Sequence, residues 1–364
     1  MTPEERRHLQ QELSEVASRL MEFHTVKERP QAIEQCMAFI KSYFEGTSAN
    51  IREHKINEKP ALFVSFNKKK RQTLIFNGHI DVVEGSESQF SPYVEKGRLF
   101  GRGSVDMKGA VAAFMVLMKK LSRMKHPPPV GLMIVSDEET DGLCSKRMVS
   151  HGYAADFVIV GEPTRMQVET RHKGHMTVAI YAYGSASHGS RPWQGKNAII
   201  KLWNQYQKFA DAVPQAKRSS KWFPTINPTS IIADAPHNVT PSKARMILDI
   251  RTTEDYTNDS MFALLRKLKI RYKRIVSINM LTNPRRAHIR PFKLYAQRFL
   301  GRKLKYVKSC GGSDAKAFSD KGMEAINFGP VGKNHHRQQE YVDLNSLVDY
   351  YRVLDGYVKN YICK

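Results

Sequence analysis

Apolar residues recur at helical spacing in two opening segments: Leu9, Leu13, Val16, Leu20 and Met21 within 3–23, then Ile33, Met37, Ile40 and Phe44 within 30–44. Two amphipathic helices are therefore predicted. Next come strand-like runs at 61–66 and 73–76. The second, Thr73-Leu74-Ile75-Phe76, lacks the alternation of a half-solvated strand and reads as buried on both faces. An apolar helix is predicted over 109–124, and further buried strands over 130–136 and 157–160. Strands alternating with helices suggest an α/β sheet. Between about Lys173 and Arg286 the pattern changes: 176–183 and 244–251 alternate, while 197–213 and 259–271 are helical. That order suits a small inserted α+β domain with one solvated sheet face. After Pro284-Arg285-Arg286 the α/β character returns, with helices near 292–300 and 344–361. The expected organisation is a catalytic domain of residues 1–172 and 287–364, interrupted by an inserted domain of residues 173–286.

Length agrees with this division, since 364 residues exceed what one hydrophobic core usually serves. No apolar run approaches the roughly 18 residues that span a bilayer. The N-terminus, Met1-Thr2-Pro3-Glu4-Glu5-Arg6-Arg7, lacks the apolar core of a secretory signal, so a cytoplasmic location is expected. Cys36, Cys144, Cys310 and Cys363 are scattered, which argues against a disulfide framework and against a cysteine-type zinc site. Any metal must use other ligands. The net charge of +23 raises the question of a polyanionic partner. The basic residues read as spread along the chain and no nucleic-acid motif is present, so solubility is the simpler reading and nucleic acid is not expected. The run Lys68-Lys69-Lys70-Arg71 reads as a solvated hairpin loop.

In open α/β sheets ligands sit at the carboxyl ends of strands, so polar residues just after buried strands carry the most information. Four such places stand out. Asn77-Gly78-His79-Ile80-Asp81 follows one strand; alone it is equally a structural histidine–carboxylate hydrogen bond. Gly101-Arg102-Gly103 through Asp106-Met107-Lys108-Gly109 precedes the apolar helix, where Asp106 could simply be an N-cap. Ser136-Asp137-Glu138-Glu139-Thr140-Asp141-Gly142 places four carboxylates in five positions, a costly crowd beside a buried strand unless a cation is near, though a solvated acidic turn would also serve. Gly161-Glu162-Pro163-Thr164 alone is an ordinary strand exit. Together the four put acidic and imidazole groups at the strand ends of one sheet, which specifies a metal centre. Carboxylates and neutral imidazoles suit zinc, and several carboxylates permit two ions about 3.5–4 Å apart. Cobalt and manganese accept similar ligands.

These motifs, in this order and followed by a C-terminal His-x3-Glu, resemble the di-zinc family of acetylornithine deacetylase, succinyl-diaminopimelate desuccinylase, aminoacylase and the glutamate-releasing carboxypeptidases. The resemblance covers nearly the whole chain. It implies a zinc-peptidase-like catalytic domain, with helices on both faces of a mixed sheet, and a ferredoxin-like inserted domain that dimerises and closes as a lid over substrate. It implies that His79 and Glu162 hold one zinc, that Glu139 and His336 hold the other, and that Asp106 bridges both. In Asn334-His335-His336-Arg337-Gln338-Gln339-Glu340 the family spacing selects His336 over His335. Asp81 would bond the far nitrogen of His79, and Glu138 would be the general base that takes a proton from a zinc-activated water and passes it to the leaving nitrogen.

In the insertion, Gly184-Ser185-Ala186-Ser187-His188-Gly189 matches a family loop whose histidine reaches the partner subunit's site and stabilises the oxyanion. His188 is therefore the candidate, although in a Gly/Ser-rich loop it could equally be merely exposed. Asn238 and Arg251 match positions lining the substrate pocket, where Arg251 offers bidentate geometry to a carboxylate. Cys310-Gly311-Gly312-Ser313-Asp314 resembles a glycine-rich loop that receives the substrate carboxylate, with Gly312 and Ser313 as candidates; a helix cap at Ser313 or Asp314 is the plainer reading. One departure is Phe23-His24-Thr25-Val26, which replaces the usual Ile-Pro-Ser stretch at the pocket edge. The expected activity is metal-dependent hydrolysis of an N-acyl amino acid, with a dipeptidase or carboxypeptidase as alternative. A polyanion-binding protein on a reused hydrolase fold is the non-enzymatic alternative, and an acidic carrier protein is a candidate partner.

Overall fold

The computed structural model describes residues 1–283 and 286–363. Pro284 and Arg285, just before the expected domain boundary at 286/287, lie outside the described residues. The chain divides into two compact units, one of Met1–Thr170, Thr282–Val307 and Ser313–Lys364, the other of Arg171–Leu281 and Lys308–Gly312. Among the described residues no helix is long and apolar enough to cross a membrane.

The first unit is built on an eight-stranded mixed sheet. Its strands lie in the order Asn50–Ile56, Lys59–Ser65, Val130–Val135, Arg71–His79, Ala154–Val160, Glu324–Asn327, Val168–His172 and Tyr306–Ser309. Arg71–His79 runs parallel to both of its neighbours, with His79 level with Val135 and Asn77 level with Val160. Three strands thus leave the sheet at one height. The helix Gly109–Leu121 is buried along almost its whole length, and Phe114 stacks on Phe76 of the central strand at 4.9 Å. Two glycines permit that approach: a Cβ at Gly78 would lie 2.7 Å from Val111 Cγ2, and one at Gly161 would lie 2.7 Å from Ala110 Cβ. The opening helix Pro3–Glu22 is closed by a Thr2/Glu5 capping box, and the closing helix Leu344–Tyr357 is capped by Asp343.

The second unit follows β-α-β-β-α-β order, with an antiparallel sheet of Thr225–Ala233, Lys243–Thr252, Gly174–Tyr183 and Arg271–Ile278 covered by helices Ala198–Asp211 and Asn258–Lys267. This is the ferredoxin-like arrangement. Two of its strands differ from the β-α-β-α reading of the sequence. Thr225–Ala233 contains Pro228, where the pairing register shifts, and Arg271–Ile278 is mostly exposed. Both are edge strands, where proline and charge are tolerated and alternation is weak. The polar edge strand Asn50–Ile56 escaped the pattern for the same reason.

Glu169 is a buried carboxyl whose Oε1 accepts from Asn327 Nδ2 at 2.7 Å. Burial outweighs that bond and pushes it up to about 7. With the folded value above the ordinary one, its protonated form supports stability at low pH, and that support is lost as pH rises through about 7. Glu169→Gln should remove a pH-dependent loss on the order of 3 kcal/mol. The melting temperature of the variant relative to wild type should climb between pH 5 and 8; a constant difference would refute the assignment.

Candidate active site

The strand register places the candidate groups. His79, the last residue of its strand, is 1% exposed, and its Nδ1 lies 2.9 Å from the main-chain carbonyl of Asp81. A carbonyl only accepts, so Nδ1 carries the proton and Nε2 presents its lone pair. Nε2 has no partner in hydrogen-bond geometry, yet Asp106 Oδ1 lies 3.4 Å away and Glu162 Oε1 3.9 Å away. Glu162 Oε1 is likewise buried without a partner. A lone pair facing carboxylate oxygens repels them unless the imidazole is protonated or a cation lies between. Burial opposes protonation, but Asp106, Asp81, Glu138 and Glu162 prevail and hold His79 well above the usual imidazole range.

Asp106 presents one oxygen to each of two imidazoles, Oδ1 to His79 and Oδ2 to His336 Nε2 at 3.3 Å. His336 Nε2 also meets Glu139 Oε1 at 2.8 Å. Burial works against charge on Asp106, but the imidazoles of His336 and His79 facing its two oxygens win and hold it below the usual carboxylate range. Bonds to Asp106 and Glu139 raise His336 to about 10. His336, not the neighbouring His335, touches these acids, from a left-handed backbone position at φ 60°. The capping alternative for Asp106 fails. Lys108 holds the cap position of the following helix, whereas Asp106 sits in a turn with non-helical angles before a cis peptide bond to Met107.

The acidic turn separates into distinct duties. Asp137 folds inward and accepts from the N–H groups of Leu143 and Cys144, and Asp141 pairs with Lys59 at 3.0 Å. Glu139 joins His79 and Asp106 in one group whose candidate ligand atoms lie within 4.8 Å of one another, and Glu138 forms a second such group with His79 and Glu162. Burial pushes Glu138 well above the ordinary range; His79 opposes this, and Asp314, Glu139 and Asp106 add to it. Glu162 is raised in the same way, by burial and then by Asp106 and Glu138. These donors fit divalent cations, which would remove the repulsion among the acids.

Asp81 differs from expectation. Its carboxylate stands 3.6 Å from His79 Nδ1, and the close contact comes from its main-chain carbonyl. The physical reason is that Oδ2 accepts from the Glu139 N–H at 2.9 Å, tying the acidic turn to the His79 strand. Of the two cap candidates, Asp314 holds the N-cap position of the helix Ala315–Ser319 without a side-chain capping bond, and Ser313 lies before it. Ser313 Oγ donates to Asn327 Oδ1 at 3.0 Å. Asp314 is buried with Oδ2 unpartnered and is pushed to about 7 by burial and the charge of Asp137. Its place after a glycine-rich loop was the only signal in the sequence.

Glu340, the glutamate of His-x3-Glu, holds this half of the site. It is 1% exposed, pairs with the buried Arg102 at 2.6 Å, and accepts at Oε1 from the N–H groups of Val105 and Asp106 at 3.1 and 3.3 Å. One carboxylate therefore fixes the backbone of Asp106 four residues after His336.

In the second unit, the His188 and Asn238 loops meet. His188 bridges to Val239, and Gly189 N–H donates to the Asn238 carbonyl at 2.6 Å. Arg251 is already forked onto Asp249, with Nε and Nη2 at 2.9 and 3.1 Å, and His175 Nε2 lies 3.0 Å from the same carboxylate. The bidentate face expected to be free for substrate is thus occupied. Gly312 is exposed, with open space where a Cβ would lie.

The model of Peptidase family M20/M25/M40 matches residues 75–360. Similar curated proteins include the succinyl-diaminopimelate desuccinylase of Gluconobacter oxydans (strain 621H), 27% identical over 83% of this chain and 84% of that protein. That of Blochmanniella pennsylvanica (strain BPEN) is 26% identical over 86% and 89%. Among solved structures, aminopeptidase PepT from Bacillus cereus ATCC 10987 superposes with a TM-score of 0.78 at 16% identity, covering 96% of this chain and 98% of that one. The M20 family metallo-carboxypeptidase Sso-CP2 from Sulfolobus solfataricus gives 0.75 at 16% identity over 96% and 98%. At these identities the structures speak to fold alone.

Glu340→Gln should leave Arg102 buried without a counter-charge, at a cost of about 3 kcal/mol. It should also weaken the binding of added zinc, the probe for a divalent cation at these ligands, about 10- to 100-fold, measured by competition with a chromophoric chelator. Unchanged zinc affinity in a folded variant would leave Glu340 a role in stability alone.

Proposed function

The chain belongs to the peptidase family M20/M25/M40 and is a hydrolase of the amidohydrolase and peptidase kind; on that premise we propose that it cleaves the amide bond of an N-acyl amino acid using two divalent cations, zinc by preference. The observation that carries the reading is Asp106, one oxygen facing His79 and the other facing His336. His79 and Glu162 would hold one cation, Glu139 and His336 the other, with Asp106 shared. When bound, the cations polarise the substrate carbonyl and lower the pKa of water.

The side chains supply the rest. Glu138 removes a proton from the attacking water and delivers it to the departing nitrogen, and its buried, acid-crowded setting raises its basicity toward what that exchange requires at neutral pH. Asp81 steadies His79 through its carbonyl and the acidic turn through its carboxylate. In the second unit, Ser190 N–H donates to His188 Nδ1 at 3.2 Å, so neutral His188 carries its proton on Nε2, the form needed to donate to an oxyanion. Asp249 holds Arg251 flat, and the remaining amino group of its guanidinium is the one offered to a substrate carboxylate, with Asn238 and the main chain at Gly312 as further substrate contacts. The desuccinylase relatives support the acyl-amino-acid class. Pairing of two copies through the second unit is supported by its edge strand Thr225–Ala233 and helix Ala198–Asp211, which expose Ile231, Ile232, Ile200 and Trp203.

Zinc-loaded protein should hydrolyse N-acetylornithine or N-succinyl-diaminopimelate in preference to a dipeptide panel. Cleavage of dipeptides alone would replace this reading with a peptidase. Glu138→Gln should lower kcat by about 10²–10⁴-fold while zinc content, read by atomic absorption, stays unchanged. Full activity in that variant would remove Glu138 as base.

A further inference from the structure

The positive charge is not uniform. From Ser260 to Ser313 the chain contains no Asp or Glu but fifteen Lys and Arg. Within the first unit this stretch forms the helix Ile289–Leu300, which buries Ile289, Phe292 and Ala296 and exposes Arg290, Leu294 and Arg298. Two cavities adjoin along its outer side. One, of about 260 Å³, is lined by Arg286, Arg290, Lys293, Leu294 and Tyr306; the other, of about 450 Å³, includes Arg298, Arg302 and Lys303. Arg286 and Lys293 stand 5.3 and 4.7 Å from the centre of the Tyr306 ring. Among the described residues none of these cations meets a carboxylate. The nearby Glu324 is buried and occupied by the N–H groups of Ala287, His288 and Ile289.

We propose that this face binds the phosphate backbone of a nucleic acid. Arginine forks match phosphate oxygens, and an unbroken row of cations with no acid among them suits a polymer recognised by charge. An acidic protein partner would need an apolar centre to bury, and the apolar side chains lining the two cavities are only Leu294 and Tyr306, the second lying against Arg286 and Lys293. The location separates this surface from hydrolysis. Glu324 begins a strand parallel to Ala154–Val160, with Glu324 level with Phe157, and Glu162 lies beyond the other end of that strand. The cation row therefore sits at the strand entrances, away from the exits that carry His79 and Glu162. This revises the reading of the basic residues as evenly spread and without a nucleic-acid partner.

The test is fluorescence anisotropy with a short labelled DNA duplex, titrated from 50 to 200 mM salt. Arg290→Ala/Arg298→Ala should reduce the slope of log affinity against log salt by roughly 1 to 2, since each phosphate contact contributes about 0.9. Lys68 and Lys69 lie not in a hairpin, as the sequence suggested, but in an exposed loop between two strands that flank Val130–Val135; removing equal charge there with Lys68→Ala/Lys69→Ala should leave the slope unchanged, and both variants should keep the wild-type melting temperature. Three results would overturn the proposal: no binding at 50 mM salt, equal effects of the two double variants, or tighter binding of labelled polyglutamate than of DNA through the same arginines. None depends on the identity of the hydrolysed substrate.

Discussion

The structure depends on the common register of three parallel strands. Arg71–His79, Val130–Val135 and Ala154–Val160 are apolar through most of their length and are buried on both faces, so they can be parallel and central. Because they end level, the residues that follow them converge whatever their own preferences. His79, Glu138, Glu139 and Glu162 are groups that water would otherwise solvate separately. Hydrophobic burial of the strands and of Gly109–Leu121 supplies the free energy that holds mutually repelling acids together. The glycines at 78 and 161 belong to the same constraint, since they let the helix bearing on the site approach the sheet closely.

A second constraint joins distant parts of the chain. Asp106 and His336 are brought together by Glu340, whose carboxylate takes main-chain N–H groups from one segment while its own backbone belongs to the other. The Gly101 N–H donates to the Glu340 carbonyl at 3.0 Å, so the link is made through both main chain and side chain. Burying Arg102 with Glu340 gains little net stability compared with apolar packing. Its value is positional, because a desolvated pair whose second carboxylate oxygen is held by the Val105 and Asp106 N–H groups leaves one arrangement of the two loops.

Much of this was legible in the sequence. The unbroken run Thr73–Phe76 announced a buried strand, and the polar residues after each such run announced a site, because burial dictates what can precede them. Polar edge strands were not legible, since a strand with a solvated side and an open edge carries little pattern, as Asn50–Ile56 and Arg271–Ile278 show. The Arg102–Glu340 pair spans 238 residues, beyond any local signal. Asp249 was within reach: it lies two residues before Arg251 on one strand and so shares its face, which made the occupied guanidinium foreseeable. His175 opposite Arg251 completes that cluster across the ladder.

Charge is sorted as well as balanced. The acids that could not be solvated individually gather at the strand exits, where a cation would neutralise them. The longest stretch free of acid contributes a helix near the strand entrances. A protein of net charge +23 could have placed carboxylates among Arg286, Arg290, Lys293 and Arg298 at almost no structural cost, since their charged ends need satisfy nothing in the core. Their absence leaves like charges along one face, which disfavours folding by self-repulsion and would be relieved by an external anion. The two ends of the sheet therefore present opposite electrostatic demands: one would be met by cations within a buried cluster, and the other by the polyanion proposed to bind outside it.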